Sequence, residues 1–108
     1  MDTAREKPMK LFAVVVATQS SYYEYKKAHP EHDQKQLSWF KEQEENGTLL
    51  CCGSFYPHDG TGLWIIQADN IEAARMIVAS SPRANDGMLS DQARVVEWEA
   101  HIGLSRFK

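Results

Sequence analysis

A chain of 108 residues has room for one domain, and its 12 Lys and Arg against 15 Asp and Glu leave a net charge of −3. Because nucleic-acid binding depends on clustered positive charge, no nucleic-acid partner is predicted. No stretch reaches the roughly 20 apolar residues that span a bilayer, so no membrane partner is predicted and the protein is expected in the cytoplasm. The adjacent Cys51 and Cys52 suit neither an ordinary disulfide nor a zinc site, and no metal or cofactor is predicted.

The first half of the chain predicts a buried strand followed by a long helix. Residues 1–8 are mostly polar and are predicted to be disordered, whereas Met9–Thr18 is a nearly continuous apolar run typical of a strand buried on both faces. A loop with a short helical turn is expected next. Pro30 then suits the start of a helix that is predicted to run to about Asn46, where Gly47 ends it. The stripe expected to face the sheet is Asp33, Gln36, Leu37, Phe40 and Glu44.

The second half predicts two strands, a helix and a last strand. The strands are expected at 48–56, 63–68 and 92–99, and the spacing of Asp69 and Glu72 predicts a capping box at the start of the helix between them. The order β-α-β-β-α-β is that of a ferredoxin-like α+β domain, with two helices on one face of an antiparallel four-stranded sheet. The domain is expected to span 9–101, with 102–108 as a C-terminal tail.

The other face of such a sheet is left without helices. Trp64 and either Phe55 or Tyr56 are expected to lie on that face. A large exposed apolar face usually marks an interface. Pairing two sheets face to face predicts a homodimer, the dimeric α+β barrel.

Several segments, taken in order, resemble the YCII-related family of dimeric α+β barrels over about Lys10 to Trp98. The segments are Lys-Leu-Phe-Ala-Val-Val-Val in the first strand, the helix end Leu37 to Gly47, the run Gly-Thr-Leu-Leu-Cys-Cys-Gly-Ser, Asp-Asn-Ile-Glu-Ala-Ala-Arg, Ser-Pro-Arg-Ala-Asn-Asp-Gly and the final Glu97-Trp98. The resemblance implies the fold. It also implies a His–Asp pair in members thought to be active, but Gln36 and Ser81 stand at those positions here, so no activity is inherited by default.

Without that pair, His32 is the candidate catalytic residue. It lies one helical turn before Gln36 on the same face, near a helix N-terminus whose dipole favours the neutral imidazole of a general base. Asp33, Asp86 or Glu97 is a candidate to orient it. The alternative is a plain solvated or capping histidine.

Other residues are candidates for substrate binding, each with a structural alternative. Arg83 can bind a carboxylate or phenolate through two hydrogen bonds, or it can be an ordinary surface arginine. Trp64 and Tyr56 can form the apolar walls of a pocket, or belong to the core or an interface. Tyr23 and its neighbouring tyrosines can form a lid, or simply pack. His29 and His32 resemble a metal pair only superficially, with no third ligand in view.

Two function classes remain open. The first is a small cofactor-free enzyme performing acid–base chemistry, as an isomerase, lyase or cyclase, on an apolar or aromatic small molecule. His32 would be the acid or base and Gln36 and Arg83 would position the substrate, in a cleft between the start of the long helix and the loop 80–87. The second is a non-catalytic small-molecule-binding or accessory protein. A structural dimerisation module has no positive feature in its favour.

Overall fold

A computed structural model of the chain describes residues 10–57 and 60–101. In chain order its elements are β1 (Lys10–Ala17), α1 (Tyr22–Ala28), α2 (Glu31–Glu45), β2 (Leu49–Ser54), β3 (Thr61–Ala68), α3 (Ile71–Ala79), α4 (Pro82–Asn85) and β4 (Arg94–Trp98). The strands form one antiparallel sheet in the order β2-β3-β1-β4. The ferredoxin-like α+β fold is therefore confirmed, with α1 and α4 as short additions. The predictions for 1–8 and 102–108 lie outside the described residues.

The core lies between the sheet and the helices. Phe12 and Val14 of β1 pair with Ile66 and Trp64 of β3, and all four are buried. Side chains alternate along a strand, so these four share the helix-covered face. Placing Trp64 on the uncovered face was therefore wrong. Its ring instead lies 5.5 Å from that of Trp39 on α2.

Helix α2 buries a different stripe from the one that its apolar residues predict. His32, Gln36 and Trp39 are buried, whereas Leu37 is 46% exposed. Gln36 is buried as expected, and Phe40 is partly buried and packs against the core. The expectation is wrong for Leu37, Asp33 and Glu44, which are exposed. The difference arises because His32 and Gln36 occupy inward positions, where Asp86 just after α4 and the backbone of Arg83 within it supply their hydrogen-bond partners.

The helix ends follow local sequence signals. Gly47 has a φ of 86° just after α2, in the left-handed region where glycine is favoured. The cap of α3 is Asn70 rather than the expected Asp69, because the Asn70 side chain accepts a hydrogen bond from the Ala73 amide at 2.8 Å. Ser81 caps α4 in the same way, at 3.2 Å from the Ala84 amide nitrogen.

The face of the sheet opposite the helices is mainly apolar. By alternation with the core residues it carries Leu11, Ala13, Val15, Leu63, Ile65, Val96 and Trp98, together with Gln67 and Arg94. Among them Val96 on the edge strand β4 is 44% exposed, whereas Ile65 on the inner strand β3 is 5% exposed. No helix within residues 10–57 and 60–101 is long and apolar enough to cross a membrane.

Candidate active site

A cavity of about 410 Å³ lies between α1, α4 and the β2–β3 side of the sheet. Its apolar lining includes Val16, Phe40 and Trp64, and the Phe40 and Trp64 rings meet edge to face at 5.2 Å. Its charged lining residues are Lys26 and Arg83. Its other polar lining residues are Thr18, Tyr22, Tyr23, Ser54 and Thr61. A cavity with this volume and with apolar walls beside polar groups is suited to a small molecule.

Close backbone contact shapes the strand side of the cavity. Gly62 of β3 lines the cavity, and a Cβ atom at this position would lie 2.6 Å from the backbone oxygen of Gly53 on β2. Such a distance is too short for any side chain. Glycine at 62 therefore allows the two strands to approach where they border the cavity.

Four residues form a polar cluster at the cavity: Tyr22, Lys26, Asp33 and Arg83. The Tyr22 hydroxyl donates to Asp33 Oδ1 at 2.8 Å and accepts from Arg83 Nη2 at 2.9 Å. Lys26 Nζ is 3.2 Å from Asp33 Oδ2. Both cations also lie over the Tyr22 ring, at 5.1 and 5.0 Å from its centroid. With two cations and one carboxylate, the cluster carries a net positive charge.

The pKa values of this cluster follow from those contacts. Burial and the hydrogen bond to Asp33 raise the pKa of Tyr22 to about 12. Partial burial acts to raise the pKa of Asp33, but hydrogen bonds from Tyr22 and Lys26 outweigh it and hold that pKa below its usual value. Tyr22 is thus a neutral proton donor at neutral pH, and Asp33 is ionised.

A second group of polar residues lies behind the cluster, between α2 and α4. The His32 side chain is 0% exposed, and its Nδ1 is 2.8 Å from Asp86 Oδ2. Because a carboxylate only accepts, Nδ1 is the donor, and this bond lowers the pKa of Asp86. Gln36 Oε1 accepts from the backbone N–H of Arg83 at 2.9 Å. The solvated alternative for His32 is wrong, and of its three candidate partners Asp86 is the one in contact.

The structure brings some of the predicted site residues together and separates others. Arg83, Trp64 and Tyr23 line the cavity, whereas His32 and Gln36 lie outside its lining. Tyr56, predicted as an apolar wall, is 89% exposed and outside the lining as well. Among the described residues no three metal-ligating side chains come together.

The sequence pattern predicts no role for Lys26, and for Tyr22 it predicts only a part in a lid or in simple packing. A local signal did exist, since the two residues are four apart and therefore share one face of a helix. Their partners Asp33 and Arg83 come from α2 and α4, which local spacing cannot reveal.

The fold and the cavity together define a ferredoxin-like domain with a site of small-molecule size. The chain belongs to the YCII-related domain family, which matches residues 9–99. In fold it is similar to 5-chloro-2-hydroxyhydroquinone dehydrochlorinase, TftG, from Burkholderia phenoliruptrix AC1100, in complex with 2,5-dihydroxybenzoquinone. The TM-score is 0.69 at 11% identity, covering 84% of this chain and 95% of the other. Among curated proteins, none matches the sequence.

Proposed function

We propose that the protein is a small cofactor-free enzyme that performs acid–base chemistry on an aromatic or quinonoid molecule bearing an acidic oxygen. The observation that carries the proposal is the Tyr22 hydroxyl, held between the Asp33 carboxylate and the Arg83 guanidinium in a residue that lines the cavity. The complex of TftG with 2,5-dihydroxybenzoquinone supports a ligand of this class.

Substrate binding follows from the lining of the cavity. Phe40 and Trp64 offer aromatic surface to a ring, while Lys26 and Arg83 attract an ionised oxygen on that ring.

The proposed chemical step is protonation of an enolate or phenolate at carbon. The electron pair of its C=C bond takes the proton of the Tyr22 hydroxyl, a C–H bond forms, and the substrate oxygen becomes a carbonyl. For this transfer the Tyr22 hydroxyl turns from Asp33 to the substrate. The resulting Tyr22 phenolate accepts a hydrogen bond from Arg83 and takes a proton from water, which leaves as hydroxide. Because such a substrate arrives ionised, the step needs no base from the protein. Counted from the neutral enol or phenol, which loses its oxygen-bound proton to solvent before binding, the net change is a keto–enol isomerisation, one of the reaction types expected from the sequence.

The catalytic role expected for His32 stays a prediction. Its imidazole is fully buried and outside the cavity lining, and a catalytic acid or base must come within hydrogen-bond reach of the substrate. We therefore assign the proton transfer to Tyr22 and treat Arg83 as the residue that binds the substrate.

Proton transfer can be tested without knowing the natural substrate. In D₂O, the protein is expected to accelerate the replacement of ring hydrogens by deuterium, which NMR measures. The compounds to test are 2,5-dihydroxybenzoquinone and a set of di- and trihydroxybenzoates, and at least one of them should respond. Arg83→Met should lower that rate at least about 100-fold, because it removes a donor that stabilises the developing charge. Arg75→Met, the same charge change at a residue outside the cavity lining, should not. No acceleration with any of these compounds would contradict the enzyme proposal.

One observation favours the alternative of a non-catalytic binding protein. Among the described residues, the cavity lining contains no imidazole and no carboxylate, so it is better supplied with groups that bind an anion than with bases. Under this alternative, calorimetry would show that the same compounds bind and that Arg83→Met weakens binding. The protein would not accelerate ring-hydrogen exchange in any of these compounds.

We also propose that the sheet face opposite the helices pairs with that of a second copy. Sedimentation at micromolar concentration should show a dimer, and a stable interface of this kind buries more than about 1,000 Å². Val96→Glu places a charge on this face, at the edge strand β4, and should yield monomers. Met76→Glu is the matched control, since Met76 is 74% exposed on α3. A compact wild-type monomer at that concentration would rule the pairing out.

A further inference from the structure

Helix α4, which carries Arg83, is tied to α2 at both of its ends. At the first, the Arg83 backbone N–H donates to Gln36 Oε1 at 2.9 Å. At the second, Asp86 follows the last helical residue and accepts from His32 Nδ1 at 2.8 Å. An isolated helix of four residues is not stable in water. The position of α4 is therefore set by these contacts and by its packing.

The two α2 side chains in these contacts are among the most deeply buried in the described chain. His32 is 1% exposed and Gln36 is 2% exposed. Apolar side chains would bury the same surface without the cost of removing polar groups from water. What a hydrogen bond adds to packing is direction. Because His32 and Gln36 are four residues apart on one face of α2, their two bonds fix both the place and the rotation of α4.

Fixing α4 has a consequence for the cavity. The Arg83 side chain is 17% exposed and reaches the Tyr22 hydroxyl from α4. A free arginine loses considerable rotamer freedom when it binds an anion, and holding it in place beforehand reduces that loss. Any tilt of α4 would move the guanidinium away from Tyr22 and from a bound ligand.

We propose that His32, Gln36 and Asp86 form a clamp that holds Arg83 in the geometry needed to bind an anionic oxygen. The three are positioning residues, which act through Arg83 and do not touch the ligand. The clamp proposal depends on the proposed function in one respect only, namely that the cavity is the ligand site. It assigns the buried His–Asp pair to ligand selectivity instead of to proton transfer.

The first test measures ligand selectivity with two probes of the same shape, the anion 4-hydroxybenzoate and the neutral 4-hydroxybenzamide. Asp86→Ala is expected to weaken binding of the anion about 10- to 100-fold, by analogy with the loss of metal affinity when a residue that orients a metal ligand is removed. It should change binding of the amide less than about twofold. His32→Leu should act in the same way, and His32→Asn, which retains a donor for Asp86, should recover most of the loss.

A double-mutant cycle separates positioning from a general structural effect. In an Arg83→Met background, Asp86→Ala should cause no further loss of affinity for 4-hydroxybenzoate. An equal loss with and without Arg83 would overturn the clamp, as would equal weakening of both probes. Denaturant titration checks that each variant is folded.

A second measurement needs no ligand, so the clamp and the proposed function can fail separately. Because Arg83 Nε is buried, its hydrogen should exchange slowly with solvent in NMR spectra of the wild-type protein. Asp86→Ala should speed that exchange about tenfold or more, because this hydrogen exchanges only when α4 moves and exposes the Nε atom to water. Unchanged exchange would overturn the clamp even if ligands bind. Faster exchange in a protein that binds neither probe would support the clamp and contradict the anion site.

Discussion

Replacing Trp39 by alanine is expected to lower the free energy of unfolding by about 3–5 kcal/mol, the usual range for truncating a buried aromatic side chain. Trp39 is buried on α2, and its ring lies 5.5 Å from that of Trp64 and 5.6 Å from that of Phe40. Its loss leaves a cavity between the helix and the sheet. Urea titration of the two proteins, followed by circular dichroism, measures the difference.

Leu37→Ala is the matched control for Trp39, since Leu37 lies two residues away on the same helix and is 46% exposed. It should change the free energy of unfolding by no more than about 0.5 kcal/mol, as exposed sites usually do. The apolar pattern of the sequence predicts Leu37 as an inward residue of α2. A larger loss for Leu37→Ala than for Trp39→Ala would therefore show that the helix is rotated as the sequence suggested.

The fold was predictable because its signals are local. Apolar runs and alternation mark the strands, Gly47 marks the end of α2, and the acid and amide residues at 69–72 mark the start of α3. The exact cap differs by one residue. Signals of this kind need only neighbours in sequence, and the order of the elements then leaves few topologies.

The arrangement of the site was not predictable in the same way, because it depends on contacts between distant residues. Gln36 and His32 find partners 47 and 54 residues further along the chain, and the hydroxyl of Tyr22 meets Arg83 across 61 residues. The helical pattern of the sequence places Gln36 in the inward stripe but identifies no partner for it, and a polar residue such as His32 is more often exposed. Only the placement of α4 shows which groups form hydrogen bonds with these two side chains.

Removing the hydroxyl of Tyr22 is expected to have the largest effect on activity. Tyr22→Phe should lower the rate of deuterium incorporation into the best compound of the exchange assay by about 10²–10⁴-fold, the usual contribution of a general acid. Binding of the same compound should change less than about tenfold, because Lys26, Arg83 and the aromatic walls remain. Exchange rates by NMR and affinities by calorimetry separate the two effects.

The pH dependence of stability provides an independent check on Tyr22. Its pKa is about 12 in the folded chain against 10.0 for an ordinary tyrosine, so the folded state holds this proton more tightly than the unfolded state. The resulting stability is fully present below pH 10 and is lost as the pH rises towards 12. Wild type should therefore lose more stability than Tyr22→Phe between pH 9 and 11.

Tyr56→Phe is the matched control for the exchange measurement, because it makes the same chemical change at a residue that is 89% exposed and outside the cavity lining. It should leave the exchange rate as in wild type. If Tyr22→Phe retains full exchange activity while the difference in alkaline stability is present, Tyr22 is buried as described but is not the acid. The proton would then have to come from another group. If Tyr22→Phe loses exchange and affinity together, the hydroxyl serves binding, and the binding-protein alternative is favoured.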